Sequence, residues 1–271
     1  RERSVGLGVM GFHSFLQSQN VPFESVIAKV WNKRMFKHIR EQADNASRML
    51  ADERGACPDA AEYGVHERFS HKMAIAPTAS ISIIAGNSSP GVEPIAANVF
   101  LQKTLSGSFK VRNRHLHMLL KEKGQDTDEI WSSITTNKGS VQHLDFLTEQ
   151  EKAVFKTAFE LDQRWVIEHA ADRTPYICQS QSVNIFVPAD VHKRDLHQMH
   201  FVAWKKGVKS LYYCRSMSIQ RADAVSEKVV RPVDFNVAAA AHAANEQGIL
   251  PLVAGPPKSG TTDYEECLAC Q

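Results

Sequence analysis

One stretch decides the fold class: VNIFVPADVHKRDLHQMHFVAWKKGVKSLYYC, residues 183–214. Residues 183–187 are apolar apart from Asn184 and predict a strand. A helix capped by Asp190 is predicted to follow, and Gly207 stands where a helix C-terminal glycine is favoured. Residues 208–214 are again apolar and aromatic and predict a second strand. Strand, helix and strand at this spacing indicate α/β architecture with parallel strands.

Similar patterns predict the other elements. Residues 25–50 carry apolar side chains at steps of three or four, which predicts a long helix. Residues 73–76 predict a buried strand. Thr148 and Glu151 form a capping box that predicts the start of a helix continuing through residue 166. Strands are also predicted at residues 99–104 and 109–111, and a short helix at 115–123.

Composition excludes several classes of protein. The 271 residues are 43% hydrophobic and 23% charged, which is typical of a folded domain and excludes extensive disorder. Lys and Arg number 32 and Asp and Glu 30, so the net charge of +2 gives no sign of a nucleic-acid or membrane-surface binder. Apolar runs are too short for a transmembrane helix. Five cysteines do not form a disulfide scaffold, and we expect a cytoplasmic protein.

The segment Pro-Thr-Ala-Ser-Ile-Ser, residues 77–82, follows one predicted strand and precedes an apolar helical run. A helix N-terminus presents unpaired backbone N–H groups and about half a positive charge. With hydroxyls from Thr78, Ser80 and Ser82 as further donors, the segment is a candidate phosphate cradle. An ordinary helix start with Pro in its first turn explains the same residues.

Tyr212 and Tyr213 close the last predicted strand. Adjacent side chains of a regular strand point to opposite faces, which would put one ring in the core and one at the surface. The alternative is a stacked pair used for electron transfer, and it requires the strand to end or bulge there. The nearby Lys205, Lys206 and Lys209 are expected to form a solvated helix end.

Residues 250–271 have the Pro, Gly and small polar composition of a linker. They end in a C-x-x-C sequence, Cys267 and Cys270, which suits a redox dithiol or half of a zinc site. Because no second C-x-x-C and no suitable histidine spacing accompany it, we predict no metal site and prefer a redox role. The alternative is that the tail cysteines do nothing. We predict a domain over residues 1–249 and a flexible tail over 250–271.

These features, in this order, resemble the large (α) subunit of class I ribonucleotide reductases. That family has a Pro-Thr-Ala-Ser segment (here 77–80), a Gly-x-Glu-Pro loop (91–94) and a Gly-Val-Lys-(Ser/Thr)-Leu-Tyr-Tyr strand (207–213). It ends in a mobile tail with a cysteine pair. Residues 3–9 and 55–58 fit as well. The resemblance therefore covers the chain from Arg3 to the tail.

The resemblance implies a ten-stranded α/β barrel built from two parallel five-stranded halves, of which this chain is the second, followed by the tail. The nucleotide effectors would bind regions that this chain lacks, and the radical cysteine lies in the missing first part. No cofactor is expected in the chain, because the radical or metal centre belongs to the small (β) subunit. We therefore expect no reductase activity from the chain alone.

The resemblance also implies a substrate site. The segment at residues 78–81 would hold the diphosphate of a ribonucleoside diphosphate through backbone N–H groups and hydroxyls. Many members have Thr or Ser where this chain has Ile81, so one hydroxyl donor is lost. The residues concerned are Thr78, Ala79, Ser80 and Ile81.

The resemblance also implies two pairs of residues that transfer electrons. Tyr212 and Tyr213 would relay an oxidising equivalent from the β subunit, with Tyr212 nearer the active-site cysteine. Cys267 and Cys270 would re-reduce the buried disulfide after each turnover and be reduced in turn by thioredoxin or glutaredoxin. The implied partners are the N-terminal remainder of the α subunit, the β subunit, that reductant and a second α subunit, and they include neither nucleic acid nor membrane.

Two other functions stay open. One is a non-catalytic interaction or regulatory module derived from a half-barrel, against which the tyrosine pair and the tail dithiol count. The other is a small thiol–disulfide oxidoreductase. Enzymes of that kind place C-x-x-C at a helix N-terminus inside the fold, whereas here it lies on a proline-rich tail.

Overall fold

The structure is a computed structural model that describes residues 1–104 and 107–217 of the chain. The predicted boundary at residue 250 and the pair Cys267 and Cys270 lie outside the described residues. Among the described helices, none is both long enough and apolar enough to cross a membrane. The helices are α1 (Phe12–Ser18), α2 (Val26–Arg54), α3 (Pro58–Glu62), α4 (Ala79–Ile84), α5 (Arg114–Glu122), α6 (Asp128–Thr136), α7 (Glu149–Val154), α8 (Gln163–Arg173) and α9 (Lys193–Lys205), with a 3₁₀ turn at Thr174–Tyr176.

The strands are β1 (Val99–Thr104), β2 (Gly107–Arg112), β3 (Ile185–Pro188) and β4 (Cys214–Met217). The first two form an antiparallel hairpin. The last two pair in parallel, with Ile185 opposite Cys214. The prediction of a mixed α/β fold with parallel strands is confirmed, although the sheets are small.

Two isolated parallel bridges extend this pairing toward the start of the chain. Leu7 pairs with Met73, and Ile75 pairs with Gln181. The predicted strand at residues 73–76 is therefore present only as single bridges, without a regular ladder. Parallel contacts nevertheless link the first residues to segment 73–75, then to Gln181 and the segment leading into β3, and finally to β4.

Gly8 permits the first of these contacts. The N–H of Leu7 donates to the carbonyl of Lys72 at 2.8 Å, and the N–H of Ala74 donates to the carbonyl of Leu7 at 3.1 Å. A Cβ atom at residue 8 would lie 2.5 Å from the carbonyl oxygen of Ala74, closer than any real Cβ contact. The two segments therefore approach within a distance that only glycine allows.

Helix α2 confirms the prediction for residues 25–50. The hydroxyl of Ser25 caps its start by accepting from the N–H of Ala28 at 3.1 Å. The helix ends at Gly55, whose φ of +78° lies in the region that favours glycine. Asn32, on its buried face, donates to the carbonyl of His169 at 2.8 Å and joins α2 to α8.

Two hydrophobic clusters form the core. The larger gathers α1, α2, α8 and the parallel segments, and it includes Phe12, Leu16, Phe36, Met73, Ile75 and Val166. The second gathers the hairpin with α5, α6 and α7, and it includes Val99, Leu116, Leu120, Trp131, Ile134 and Val154. The larger cluster includes side chains of the parallel segments, and Leu211, next to Tyr212, packs against it.

The prediction of one long helix from Thr148 through residue 166 is wrong. The capping box forms, but α7 ends after six residues at Val154. The carboxylate of Glu160 accepts from the N–H and hydroxyl of Thr157, at 2.7 and 2.9 Å, and fixes a turn there. Asp162 then caps α8 by accepting from the N–H of Arg164 at 3.0 Å. Local side-chain bonds thus override a continuous apolar pattern.

Two boundaries near the end of the described chain also differ from prediction. His192, not Asp190, caps α9, because its Nδ1 accepts from the N–H of Arg194 at 3.1 Å. The strand predicted at residues 208–214 begins only at Cys214, so most of that segment is extended chain leading into β4. Gly207 does follow the helix in the left-handed conformation, with φ of +75°.

We predict that Gly8→Ala lowers the free energy of unfolding by about 2 kcal/mol or more, because the new methyl collides with backbone rather than with a side chain. Urea unfolding of the full chain measures this. Gly6→Ala is the matched control, since its Cβ would meet side-chain atoms alone, the Cβ of Ala74 at 3.2 Å and Nε2 of Gln179 at 3.9 Å, and should cost less than about 1 kcal/mol. Equal losses in the two variants would contradict the close-approach argument.

Candidate functional site

The cradle segment, residues 78–81, begins helix α4. Thr78 precedes the helix with φ of +55°, and its hydroxyl oxygen accepts from the N–H of Gly91 at 2.7 Å. The N–H of Ser82 is the first to bond within the helix, to the carbonyl of Thr78 at 2.9 Å. The N–H groups of residues 79–81 therefore stand ahead of the helical bonding pattern.

The side chains of this segment differ in their availability. Ser80 and Ile81 are exposed. Ser82 is buried and its hydroxyl donates to the carbonyl of Ala79 at 3.0 Å. The expectation that Ser82 adds a donor for phosphate is wrong, because this hydroxyl is already committed to the backbone of its own helix.

The tyrosine pair, Tyr212 and Tyr213, lies just before β4. Both side chains are partly exposed, at 44% and 42%, and their ring centroids are 4.1 Å apart at an interplanar angle of 50°. One buried and one exposed ring, the arrangement of a regular strand, is not observed. The two rings are tilted rather than stacked, and the strand begins after them at Cys214 instead of ending at the pair as the stacked-pair hypothesis required. The use of the pair in electron transfer stays a prediction.

Behind the pair lies a buried carboxylate that the sequence did not single out. Glu93 is 5% exposed and belongs to the loop at residues 91–94. Its carboxylate accepts from the side-chain amide of Asn184 at 2.9 Å, and the amide oxygen of Asn184 accepts from the N–H of Tyr213, also at 2.9 Å. The Gly-x-Glu-Pro resemblance was the only sequence signal for this carboxylate.

Burial raises the pKa of Glu93 above its ordinary value. The bond from Asn184 and the positive charges of Arg215 and Arg173 oppose that effect without cancelling it. The guanidinium of Arg215 also lies 5.7 Å from the ring centroid of Tyr213. The positive charge of Arg215 and the ring of Tyr213 therefore lie next to each other at the start of β4.

Lys209 has a role that differs from its predicted one as part of a solvated helix end. Its ammonium donates to three consecutive carbonyls, those of Ile177, Cys178 and Gln179, at 3.1, 2.6 and 3.0 Å. It fastens the segment carrying the tyrosine pair to the turn after α8. No local sequence pattern indicates this contact, because its acceptors lie about thirty residues away and are backbone atoms.

The described residues contain no group of three or more His, Cys, Asp or Glu side chains placed to hold a metal ion. Free cysteines among them are Cys57, Cys178 and Cys214. The tail dithiol lies outside the described residues, so the structure brings together the cradle segment, the loop at 91–94 and the tyrosine pair only. The link between them runs through Thr78, Gly91, Glu93 and Asn184.

The family described as "Ribonucleotide reductase, barrel domain" matches residues 1–68 and 58–214, which is most of the chain. The chain belongs to this ribonucleotide reductase family. The resemblance drawn from the motifs is therefore confirmed at the level of the family and of its barrel-domain fold.

Large subunits of ribonucleoside-diphosphate reductases are similar to the chain. The chain is 50% identical over 240 residues to the ribonucleoside-diphosphate reductase large subunit of Invertebrate iridescent virus 6, and the match covers 87% of this chain and 25% of the relative. It is 33% identical over 303 residues to the large subunit of Caenorhabditis elegans, covering 100% of this chain and 36% of the relative. The chain thus spans about a quarter to a third of these reductase subunits.

A solved structure supports the fold. The Actinobacillus ureae class Id ribonucleotide reductase alpha subunit is similar to this chain with a TM-score of 0.74 and 44% sequence identity. The match covers 82% of this chain and 41% of that subunit. The fold of the described residues is therefore that of part of a reductase α subunit.

We predict that Lys209→Met lowers the free energy of unfolding by about 2 kcal/mol, because three carbonyls lose a charged donor. Chemical unfolding of the full chain measures this. Lys205→Met is the control, because that exposed lysine ends α9 outside this contact and its loss should change stability by less than about 0.5 kcal/mol. If both variants unfold at the same urea concentration, the three-carbonyl contact contributes nothing.

Proposed function

We propose that this chain is a portion of a class I ribonucleotide reductase α subunit, which reduces ribonucleoside diphosphates to 2′-deoxyribonucleoside diphosphates by protein-radical chemistry. The observation that carries the proposal is the tyrosine pair, with ring centroids 4.1 Å apart just before the parallel strand β4. Family membership and the names of the relatives support it. In this proposal the chain supplies part of the site and needs the rest of the α subunit for activity.

The tyrosine pair is proposed to relay the oxidising equivalent. A phenol can release a proton and an electron together when acceptors are in reach, and its hydroxyl can both donate and accept a hydrogen bond. Contact between Tyr212 and Tyr213 provides the short step between rings that a relay needs. Partial exposure of both rings supports contact with groups from another chain, such as the proposed β subunit.

The cradle segment is proposed to hold the substrate diphosphate through Thr78, Ala79, Ser80 and Ile81. Three backbone N–H groups ahead of the helical bonding pattern give donors for anionic oxygens, and the exposed hydroxyl of Ser80 adds another. The bond from Gly91 to the hydroxyl oxygen of Thr78 supports the shape of the segment. The loss of a hydroxyl at Ile81 leaves its backbone N–H in place.

The finer architecture is also proposed. The series of parallel contacts from Leu7 through Met73 and Gln181 to β4 is what one half of a ten-stranded barrel would contain. We propose that residues 1–249 form that half and that residues 250–271 are the reductant-carrying tail. A complementary half-barrel would pair with the open strand edge.

Partners follow from the same proposal. They are the remainder of the α subunit, a second α subunit, a small β subunit that supplies the radical, and thioredoxin or glutaredoxin acting on Cys267 and Cys270. We propose that nucleotide effectors bind elsewhere in the α subunit and that this chain holds no cofactor. We also propose that the protein is cytoplasmic. Neither nucleic acid nor membrane is among the proposed partners.

The relay is tested by reconstitution of this chain with the rest of the α subunit, the β subunit and a ribonucleoside diphosphate. Deoxynucleotide formation should fall by at least about a hundredfold in Tyr212→Phe and in Tyr213→Phe, because phenylalanine cannot release a phenolic proton. Tyr63→Phe is the control, since Tyr63 is 85% exposed and belongs to neither the pair nor the cradle segment. Full activity in either pair variant would refute the relay.

The tail is tested in the same assay with two reductants. Cys267→Ser and Cys270→Ser should abolish turnover supported by thioredoxin but retain turnover supported by a small dithiol, which reaches the buried disulfide without the tail. Cys214→Ser is the control, because Cys214 is exposed but lies outside the C-x-x-C pair. Equal loss with both reductants would assign the tail cysteines another role.

A further inference from the structure

We propose that Asn184 and Glu93 are positioning residues for the tyrosine pair, Asn184 by holding the backbone of Tyr213 and Glu93 by anchoring Asn184. This inference rests on the proposed function of the pair for its catalytic meaning, but the geometry it asserts is independent of that function. Neither residue contacts a reacting atom in the proposal.

The backbone at the tyrosine pair is irregular. In a regular strand, successive N–H groups point to alternate sides. Here the N–H of Tyr212 donates to the carbonyl of Val183 at 2.8 Å, and the next N–H, that of Tyr213, also faces the segment leading into β3. The carbonyl of Tyr213 then accepts from the N–H of Ile185 at 3.0 Å, from which point the register of β3 and β4 is regular.

This irregularity is what allows the two rings to lie together. It also turns the N–H of Tyr213 toward the side chain of Asn184. The Oδ1 of Asn184 accepts from that nitrogen at 2.9 Å. Loss of this acceptor would remove a bond that holds the irregular backbone and would favour a return to regular pairing, which would separate the rings.

Glu93 fixes the orientation of Asn184. A buried asparagine can rotate its amide by 180° and exchange the positions of oxygen and nitrogen. The carboxylate of Glu93, 2.9 Å from Nδ2, accepts only from the nitrogen, so it holds Oδ1 toward Tyr213. Asn184 is 1% exposed and Glu93 5% exposed, so water does not compete effectively for these bonds.

The same loop reaches the cradle segment. Glu93 lies two residues after Gly91, whose N–H donates to the hydroxyl oxygen of Thr78. The other carboxylate oxygen of Glu93, Oε1, is buried with no hydrogen-bond partner among the described residues. Burial of a carboxyl group in this state is unfavourable, so a positional role accounts for its presence better than a contribution to stability does.

The first experiment measures the pair directly in the full chain. The chain has five tyrosines, so labelling with 3-fluorotyrosine gives few ¹⁹F resonances, which Tyr→Phe variants assign. Asn184→Ala should shift the resonances of Tyr212 and Tyr213 and leave those of Tyr63 and Tyr176 in place. Glu93→Ala should act in the same direction, whereas Glu93→Gln, which keeps an acceptor for Asn184, should retain the native resonances.

The matched control is Asn98→Ala. Asn98 is also fully buried, and its amide donates to the carbonyls of Gly139 and Phe155 at 3.0 and 2.8 Å, within the second core cluster. It should destabilise the chain without moving the resonances of the tyrosine pair. Native resonances of the pair in folded Asn184→Ala or Glu93→Ala would overturn the proposal, as would an equal shift in Asn98→Ala. If Asn184→Ala does not fold, Glu93→Ala against Glu93→Gln decides alone.

The second experiment uses the reconstituted reductase. Asn184→Ala should lower kcat by about tenfold or more, as expected for a misplaced reacting group, with KM for the ribonucleoside diphosphate unchanged within about twofold. A wild-type reconstitution without activity would refute the proposed function, while the ¹⁹F resonances would still decide the positioning. Shifted resonances with unchanged kcat would show that the positions of the rings do not limit turnover and would overturn the catalytic part.

Discussion

The pairing of residues 183–185 with residues 212–214 is the contact on which the candidate site depends. The backbone before Ile185 and Cys214 is irregular, and from these residues onward β3 and β4 run in regular parallel register. The irregular part brings two aromatic rings to one side, and the regular part fixes that end of the chain to the core. Lys209, three residues before Tyr212, binds the segment that leads into this pairing to three carbonyls of the turn after α8.

Much of the helical structure could be predicted from local sequence because its signals are local. Ser25 caps α2 and Gly55 ends it, both within one turn of the helix they bound. The capping box at Thr148 was equally local and forms as predicted. The error came in extending that helix, since an apolar repeat continued past residues 157–162, where Glu160 and Asp162 make the bonds that end one helix and start another.

Candidate site residues could be nominated from the sequence, but their geometry could not. The resemblance in the order of motifs nominated the cradle segment and the tyrosine pair, and their roles stay predictions. Contacts between segments distant in the sequence have no such signal. Asn184 lies 29 residues from Tyr213 and 91 from Glu93, and only the fold shows that the three are joined. Ser82 illustrates the converse, because its hydroxyl fits the motif but bonds to its own helix.

Stability alone does not explain the polar groups buried behind the tyrosine pair. Burial raises the pKa of Glu93 and lowers that of Arg173 to about 9, so burial opposes the charged form of each group. Replacement of buried ionic groups by apolar side chains of similar volume is often neutral or stabilising in proteins. Hydrogen bonds differ from apolar contacts in that they fix direction, and the irregular backbone at Tyr213 needs an acceptor in one direction only. We therefore infer that Glu93 and Asn184 lower the stability of the fold somewhat but fix the position of the two tyrosine rings. A relay between two chains would require the rings to have such a fixed position.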